Sequence, residues 1–387
     1  MLGDVVTFLL FVAGFPLLIF GADSLVKGAS RLAVAWGVSA LAVGLTVVAY
    51  GTSRPELAVT VLAVWKDTGA EGASGAADIA VGNVVGSNIA NILLVIGASA
   101  CFAPLVVSRE VVKRSLPLMV FISVAVLVFA WDWNGDGKAM ITWWQGLILV
   151  VGVLLYTWRA LLRGRAEKKL ELSEAEEIEE EFGHLGDKPW AWAIEVGRIV
   201  LGLVCLVAGG RFLVDGAVAV AEWLNVSKLM ISLTIVAIGT SLPEVATCVV
   251  AVLRGHRDLA VGNAVGSNIF NILLVLGSCA VLAPGGGIAV NHLALTRDIP
   301  IMIAVAALTV PIFYTQYSVA RWEGWVFVSL YLAYTVYLVM RAAGDGGAFA
   351  WVMVCVAGMI FVVVITQSVR QFFSTRRLRT RVDTRID

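Results

Sequence analysis

Residues 81–95 read VGNVVGSNIANILLV and residues 261–275 read VGNAVGSNIFNILLV, so one motif occurs twice in the chain. A second motif precedes each copy, GTSRPE at 51–56 and GTSLPE at 239–244. The first motif repeats at an offset of 180 residues and the second at 188, which indicates an eight-residue insertion in the Gly/Ala-rich loop near 66–77. The chain therefore contains an internal duplication.

The composition indicates that lipid is the solvent. Hydrophobic residues make up 59% of the 387 residues and charged residues 14%, against about 25% charged residues in soluble proteins. The formal net charge is zero, which argues against a nucleic-acid partner. The three histidines stand outside the apolar runs and no nucleophile–base pair is visible, so an enzyme is not expected. We predict an all-α integral membrane protein.

Eleven apolar runs are long enough to cross a bilayer, for which a helix needs about 20 residues. They are 4–24, 37–62, 79–103, 115–131, 141–162, 191–215, 226–253, 258–283, 299–315, 322–340 and 348–367. The duplication divides the chain into a first repeat of five spans, a charged cytoplasmic linker, a second repeat of five spans, and an extra helix with a basic tail. The boundaries of these units are 1–162, 163–190, 191–340 and 341–387.

Lysine and arginine predict the orientation, because cytoplasmic loops carry an excess of them. With the N-terminus outside, 20 of the 28 lysines and arginines fall in cytoplasmic loops and five in outside loops. This predicts a plasma-membrane or cell inner-membrane protein whose C-terminus is cytoplasmic. Five spans, an odd number, separate equivalent points of the two copies, so the copies cross the membrane in opposite directions. Inverted repeats are typical of transporters with a site at the midplane.

The GTSxPE motifs place Glu56 and Glu244 within apolar runs, where a carboxylate is costly and usually marks an ion path. Each glutamate follows a proline, which cannot donate to the carbonyl four residues back. We expect the helix to kink or open there and to free backbone oxygens. Oxygen ligands at a broken helix suit Ca²⁺ or Na⁺. The alternative is that each proline only kinks its helix and binds no ion. The occurrence of the same motif in both copies argues against this alternative. The hydroxyls beside the break belong to Thr52, Ser53, Thr240 and Ser241.

In the longer motif, polar residues recur at i, i+4 and i+8 and therefore share one helical face. Glycines four apart allow close helix packing. Packing through glycine with asparagine as interhelical glue is one interpretation, and ligation by neutral oxygens is another; we expect both. Asn88 and Asn268 point elsewhere, and we expect them to be structural. The shared face carries Asn83, Ser87 and Asn91 in the first copy and Asn263, Ser267 and Asn271 in the second, with the glycine pairs Gly82/Gly86 and Gly262/Gly266.

Charge favours exchange over a channel. Two carboxylates carry −2, which one Ca²⁺ neutralises and two or three Na⁺ match or exceed. Such a site crosses the membrane more easily loaded than empty. No pore-loop pattern of a passive channel is visible. No cofactor is expected besides the transported ions, the partners are Ca²⁺, Na⁺ and the lipid bilayer, and a monomer suffices.

The paired motifs resemble the α-repeats of the cation/calcium exchanger superfamily, specifically its prokaryotic sodium/calcium exchanger branch, over residues 5–340. The resemblance implies a ten-helix core of two inverted five-helix halves, in which the first and sixth helices slide to alternate access. It implies that Glu56 and Glu244 hold Ca²⁺ with backbone oxygens near Thr52 and Thr240. It also implies a sodium set that shares the carboxylates and adds Ser53, Ser87, Ser241 and Ser267, with Asn91 and Asn271 near the centre.

This chain departs from the family pattern in three places. Position 271 is Asn where some prokaryotic members have Asp, so the site carries −2 and not −3. Arg54 occupies a variable position and lies about 200° around the helix from Glu56, so we expect it to point away. Span 348–367 is additional, and the arginine-rich tail beyond it could lie on anionic headgroups.

The rival within transport is a proton/calcium antiporter of the same fold. Exchangers of that type carry a carboxylate in the longer motif, where this chain has Ser and Asn. The sequence therefore favours sodium as the coupling ion.

Overall fold

A computed structural model describes residues 2–66, 73–133, 139–168, 190–224, 237–314, 317–342 and 358. This part of the chain is almost entirely helical. The first copy forms α1 (Leu2–Trp36), α2 (Ala40–Thr52), α3 (Arg54–Lys66), α4 (Ala73–Ala90, continued by Asn91–Ile96 and Gly97–Phe102), α5 (Val111–Ala130) and α6 (Trp143–Lys168). The second copy forms α7 (Ala191–Trp223), α8 (Ala237–Thr240), α9 (Leu242–Leu253), α10 (Arg257–Phe270, continued by Asn271–Leu276 and Gly277–Leu282), α11 (Ala294–Tyr314) and α12 (Arg321–Ala342).

Eight helices within the described residues are long and apolar enough to span a membrane, so this is a multi-pass membrane protein. They belong to α1, α4, α5, α6, α7, α10, α11 and α12, and α2 and α9 are shorter apolar helices. The predicted span at 348–367 and the basic tail lie outside the described residues except for position 358. Of the predicted linker at 163–190, residues 163–168 extend α6, and 169–189 lie outside the description.

The first helix is longer than predicted. The prediction ended it at residue 24 because charged residues follow, but α1 continues to Trp36. These charges are accommodated by tertiary contacts: Arg31, for example, pairs with Glu195 of α7 at 3.2 Å. The helix ends only before Gly37, which adopts the left-handed conformation (φ 64°) that commonly terminates helices.

Other predicted boundaries were also wrong. Helix α5 begins at Val111 and not at 115, and α11 begins at Ala294 and not at 299, each with one turn of π-helix. These turns carry charged side chains that the hydropathy pattern assigned to loops. Helix α7 likewise runs on to Trp223 and not to 215.

The predicted break in the second span is confirmed, since the run predicted at 37–62 divides into α2 and α3. The chain leaves helical geometry at Ser53 (φ −79°, ψ 5°). The second copy breaks at the same place, between α8 and α9, at Ser241 (φ −91°, ψ 1°). Both residues lie in the sparsely populated bridge region, two positions before the proline of each motif.

The two copies interlock through reciprocal glycine contacts. A Cβ atom on Gly97 of α4 would lie 3.1 Å from the carbonyl oxygen of Gly324 in α12, and one on Gly324 would lie 2.7 Å from the Gly97 oxygen. The equivalent contact joins Gly277 of α10 to Gly146 of α6, at 3.0 and 2.7 Å. Helix α4 of the first copy therefore packs backbone to backbone against α12 of the second copy, and α10 of the second copy packs in the same way against α6 of the first.

Two pairs of short strands also join the two copies. Strand β1 (Leu105–Val106) follows α4 and pairs antiparallel with β4 (Ser318–Val319), which precedes α12. Strand β2 (Met140–Thr142) precedes α6 and pairs antiparallel with β3 (Gly287–Ala289), which follows α10. Each pairing joins one copy to the other.

Helices α4 and α10 form the centre of the molecule. In the most apolar 18-residue stretch of each helix, 72% of the residues are buried in α4 and 78% in α10, against 17% in α6, which faces outward. The GNxxGSNxxN motif of the second copy is buried throughout, and that of the first copy is buried from Ser87 to Asn91. Within the helices, each motif's last asparagine begins a turn of π-helix, Asn91–Ile96 in α4 and Asn271–Leu276 in α10. Such turns often occur at functional sites.

Candidate functional site

Two buried carboxylates mark the candidate site. Glu56 and Glu244 occupy the first turns of α3 and α9 and are each 1% exposed. The two carboxylates lie close enough to each other for their charges to interact. Among the described residues no lysine or arginine forms an ion pair with either. A buried charge without a partner is strongly unfavourable, which makes a cation the fitting counter-charge.

Further oxygens in this region also lack hydrogen-bond partners among the described residues. Buried polar atoms in proteins are nearly always hydrogen-bonded, so a group of unsatisfied acceptors needs a physical reason. The atoms are the hydroxyls of Ser53 and Ser241, the amide oxygens of Asn91 and Asn271, one carboxylate oxygen of Glu56 and both of Glu244. Both copies contribute equivalent residues, and all of these side chains are buried.

The broken helix of the first copy meets the Ser/Asn face of the second. The hydroxyl of Thr52, at the end of α2, donates to the side-chain oxygen of Asn263 at 3.2 Å and lies 3.4 Å from the hydroxyl of Ser267. It also lies near the Glu244 carboxylate, without a hydrogen bond to it. Four residues of the motifs, from the three helices α2, α9 and α10, thus lie close together in one polar cluster.

The glycines of the second copy make this approach possible. A Cβ atom on Gly262 or Gly266 would lie 2.8 Å from the carbonyl oxygens of Leu41 or Leu45 in α2. The predicted close packing is confirmed for this pair. For Gly82 and Gly86, no atom of the described residues lies within 4 Å of an added Cβ. Of the segment equivalent to α2 in the second copy, 228–240, residues 228–236 are outside the described residues.

The remaining predicted ligands have different surroundings. Ser87 is buried on α4, one turn before Asn91. Thr240 lies at the end of α8 and is half-buried. Asn83 donates to the hydroxyl of Thr60 at 2.9 Å and to the backbone oxygen of Glu56 at 3.4 Å, and so supports α3.

The predicted structural asparagines behave as expected. Asn88 donates to the carbonyl oxygen of Val84 at 2.8 Å, and Asn268 to that of Ala264 at 2.9 Å. Each bonds one turn back along its own helix. The structural role predicted for both is confirmed.

Two residues of this network escaped the sequence analysis. Thr60 and Cys248 each lie four residues after a motif glutamate, in equivalent positions of the repeat. Thr60 donates to the backbone oxygen of Glu56, and Cys248 contacts Asn263 through its sulfur at 3.2 Å. Their equivalent spacing from the glutamates was the available signal.

Arg54 points away from the cluster, as its helical angle predicts. Its side chain is exposed, and the guanidinium carbon lies 4.8 Å from the centre of the Tyr50 ring. The stacked geometry is a cation–π contact. The positive charge therefore does not offset the two carboxylates.

The donor set is that of a hard cation. The unsatisfied atoms of the two glutamates, two serines and two asparagines are carboxylate, hydroxyl and amide oxygens. Oxygen ligands of this kind suit Ca²⁺. A separate cavity of about 760 Å³ lies between α5 and α6 and contains none of the ten predicted ligands.

Known proteins share both the sequence and the fold. The family model described as sodium/calcium exchanger protein matches residues 6–162 and 194–340. The sodium/calcium exchanger MaX1 of Methanosarcina acetivorans is 32% identical over 86% of this chain and 98% of its own length. The inner membrane protein YrbG of Escherichia coli is 36% identical over 77% of this chain and 86% of its own length.

The solved structure of the sodium-calcium exchanger NCX_Mj in zero Na⁺ and Ca²⁺ superposes with a TM-score of 0.68. It is 26% identical, and the match covers 85% of this chain and 97% of that one. The family model covers most of both repeats. The chain belongs to the sodium/calcium exchanger family, whose members are membrane transporters of Na⁺ and Ca²⁺ and not enzymes.

Proposed function

We propose that this chain is a secondary active antiporter that exchanges Na⁺ for Ca²⁺ at the cluster around Glu56 and Glu244. The observation that carries the proposal is the set of buried acceptor oxygens without hydrogen-bond partners in the described structure, contributed by equivalent residues of both copies. Transported cations would satisfy these oxygens and neutralise the carboxylates. The names of MaX1 and NCX_Mj as sodium/calcium exchangers support the same ions.

In this proposal the two carboxylates bind either ion. Ca²⁺ is held by Glu56 and Glu244 together with backbone oxygens near Thr52 and Thr240, where the prolines remove helix hydrogen bonds. Sodium uses the same carboxylates with additional neutral oxygens, so the two ions compete. The additional sodium ligands are Ser53, Ser87, Ser241 and Ser267, with Asn91 and Asn271 near the centre.

We further propose a ten-helix core of two inverted repeats, with the site at the membrane midplane and access alternating between the two sides. The reciprocal glycine contacts and strand pairings support a two-fold relation between the copies. The units are 1–162 and 191–340, joined by a cytoplasmic linker at 163–190. Residues 341–387 add a further transmembrane helix and a cytoplasmic tail. The excess of Lys and Arg supports an outside N-terminus.

The charge of the site couples the Ca²⁺ flux to the Na⁺ flux. An empty site carries two unpaired negative charges through the low-dielectric core, which costs several kcal/mol. One Ca²⁺ cancels this charge, and two Na⁺ do the same. Loaded states therefore cross and the empty state does not, which couples the two fluxes.

The test is ⁴⁵Ca²⁺ uptake into proteoliposomes containing the purified protein. We expect uptake when the vesicles are loaded with Na⁺ and the outside is Na⁺-free, and none when Na⁺ is equal on both sides. The second candidate, H⁺/Ca²⁺ antiport, predicts uptake driven by a pH gradient alone. The hydroxyls and amides of the longer motif, which contains no carboxylate, favour Na⁺. Uptake from a pH gradient with none from Na⁺ would establish the rival.

A further inference from the structure

Asn263 lies in a hydrogen-bond chain whose direction is fixed by its donors and acceptors. The thiol of Cys248 donates to the backbone oxygen of Ala260 at 3.3 Å, which leaves its sulfur as an acceptor. The amide nitrogen of Asn263 donates to that sulfur at 3.2 Å. The amide oxygen of Asn263 is then free to accept from the hydroxyl of Thr52 at 3.2 Å.

The chain continues into the ion cluster. A hydroxyl has one proton and two lone pairs. With its proton directed to Asn263, Thr52 can only accept from Ser267, which lies 3.4 Å away. Every proton in the sequence Ser267, Thr52, Asn263, Cys248 thus points from the cluster toward the Ala260 carbonyl. The remaining lone pairs of the two hydroxyls are left for a cation.

The direction of the Thr52 hydroxyl proton is important because this hydroxyl has more than one possible acceptor. The Thr52 hydroxyl lies near the Glu244 carboxylate, whose two oxygens have no hydrogen-bond partner in the described structure. The backbone oxygen of Ala49, at 3.4 Å, is a weaker alternative acceptor for the same proton. A hydroxyl that donates to this carboxylate occupies an acceptor needed for the ion and directs a proton at it. Asn263 offers the competing acceptor, and all three residues are at most 1% exposed, so water does not take its place.

We propose that Asn263 is a positioning residue of the exchange site, which keeps the Thr52 hydroxyl proton away from Glu244 and turns oxygen lone pairs toward the cation. Asn263 belongs to the second repeat and Thr52 to the first, so the bond also joins the repeats at the site. The equivalent Asn83 is half-buried and donates to Thr60, and so has different contacts in the described structure. This inference rests on the proposed Na⁺/Ca²⁺ exchange.

The test compares apparent affinity with maximal rate in the Na⁺-loaded proteoliposome assay. Asn263→Leu removes the hydrogen-bond acceptor and keeps a side chain of similar volume. We expect the KM for Ca²⁺ to rise about 3- to 10-fold, which corresponds to the net free energy of one hydrogen bond. The change in Vmax should be smaller. A double-mutant cycle identifies the route of the effect. Because Asn263 acts through Thr52, Asn263→Leu combined with Thr52→Val should raise KM no further than Thr52→Val alone.

Cys248 supplies a pair of variants that tests the chain without altering either partner of the central bond. Cys248→Thr keeps an oxygen acceptor, as Thr60 does in the first copy, and should retain the wild-type KM. Cys248→Val removes the acceptor and should raise KM, because the Asn263 amide loses its orientation. This pair also carries the test if Asn263→Leu does not fold.

An unchanged KM in Asn263→Leu, or additive effects in the cycle, would overturn the role of Asn263 while wild-type exchange still stands. If the wild-type protein shows no Na⁺-driven Ca²⁺ uptake, the exchange function itself fails. The two failures are therefore distinguishable in one set of vesicles.

Discussion

Gly21 of α1 and Gly202 of α7 lie backbone against backbone. A Cβ atom on Gly21 would lie 2.8 Å from the carbonyl oxygen of Gly202, and one on Gly202 would lie 2.7 Å from the oxygen of Gly21. The same pattern recurs two turns away between Gly14 and Gly209, both at 2.9 Å. The two long helices therefore pack antiparallel along a glycine seam that leaves no space for side chains.

This seam gives the first prediction. Gly21→Ala should force α1 and α7 apart and destabilise the protein by about 1–3 kcal/mol, the usual cost of overpacking. The measurement is the thermal unfolding midpoint of the detergent-purified protein. Gly197→Ala is the matched control, since Gly197 lies on α7 and no described atom is within 4 Å of its added Cβ. That variant should be neutral or slightly stabilised. Equal losses in both variants would contradict the close contact.

The second prediction concerns the carboxylates. Glu56→Gln and Glu244→Gln each remove a buried charge that has no basic partner in the described structure. Without Ca²⁺ and Na⁺, both variants should unfold at a higher temperature than the wild type, because removing an unpaired buried charge relieves a cost of several kcal/mol. Adding Ca²⁺ should stabilise the wild type by ligand linkage and leave the variants unchanged.

The transport readout of the same variants is a fall in Na⁺-driven Ca²⁺ uptake of about 100-fold or more, since a lost charged ligand costs about 3–5 kcal/mol. Glu222→Gln serves as the control, because Glu222 is exposed at the end of α7. A Gln variant that retains Ca²⁺-induced stabilisation would place the ion elsewhere.

The third prediction tests the charge of the site through Arg54. This residue stacks on Tyr50 and is exposed. Arg54→Gln should therefore change the KM for Ca²⁺ by less than about twofold, the size of a screened surface interaction. A clear gain in Ca²⁺ affinity would mean that the guanidinium reaches the carboxylates and reduces the charge of the site.

Much of the site could be predicted because its chemistry is local in sequence. A proline followed by a glutamate in an apolar run predicts both the helix break and the buried charge, and the structure has the break at Ser53 and Ser241. A four-residue spacing predicts a shared helical face, and Ser267 and Asn271 do lie buried on α10. The duplication then strengthens each inference, because chance rarely repeats a motif at equivalent positions.

The features that were missed depend on tertiary partners. The end of α1 was placed too early because Arg31 looks like a loop residue until Glu195 is known to lie beside it. The contact between Thr52 and Asn263 joins residues 211 positions apart, and no local pattern encodes it. The π-helical turn after Asn91 depends likewise on packing that hydropathy does not register.

The fourth prediction uses the surroundings of Asn271. Neither its amide nitrogen nor its amide oxygen has a hydrogen-bond partner in the described structure, so Asn271→Asp loses no bond and adds a third negative charge. Two charges 4 Å apart interact by about 4 kcal/mol at a protein surface, and desolvation of the new carboxylate offsets part of this gain. We expect Ca²⁺ to bind about tenfold more tightly, and the protein without ions to become less stable.

Asn268 provides the matched control for this change. Its amide nitrogen donates to the Ala264 carbonyl, so Asn268→Asp loses a hydrogen bond and brings a carboxylate into repulsion with that oxygen. This variant should lose stability without gaining Ca²⁺ affinity. Equilibrium ⁴⁵Ca²⁺ binding and thermal unfolding of both variants give the comparison. If Asn271→Asp binds Ca²⁺ no more tightly than the wild type, Asn271 does not face the ion, and the centre of the site lies closer to the helix breaks than proposed.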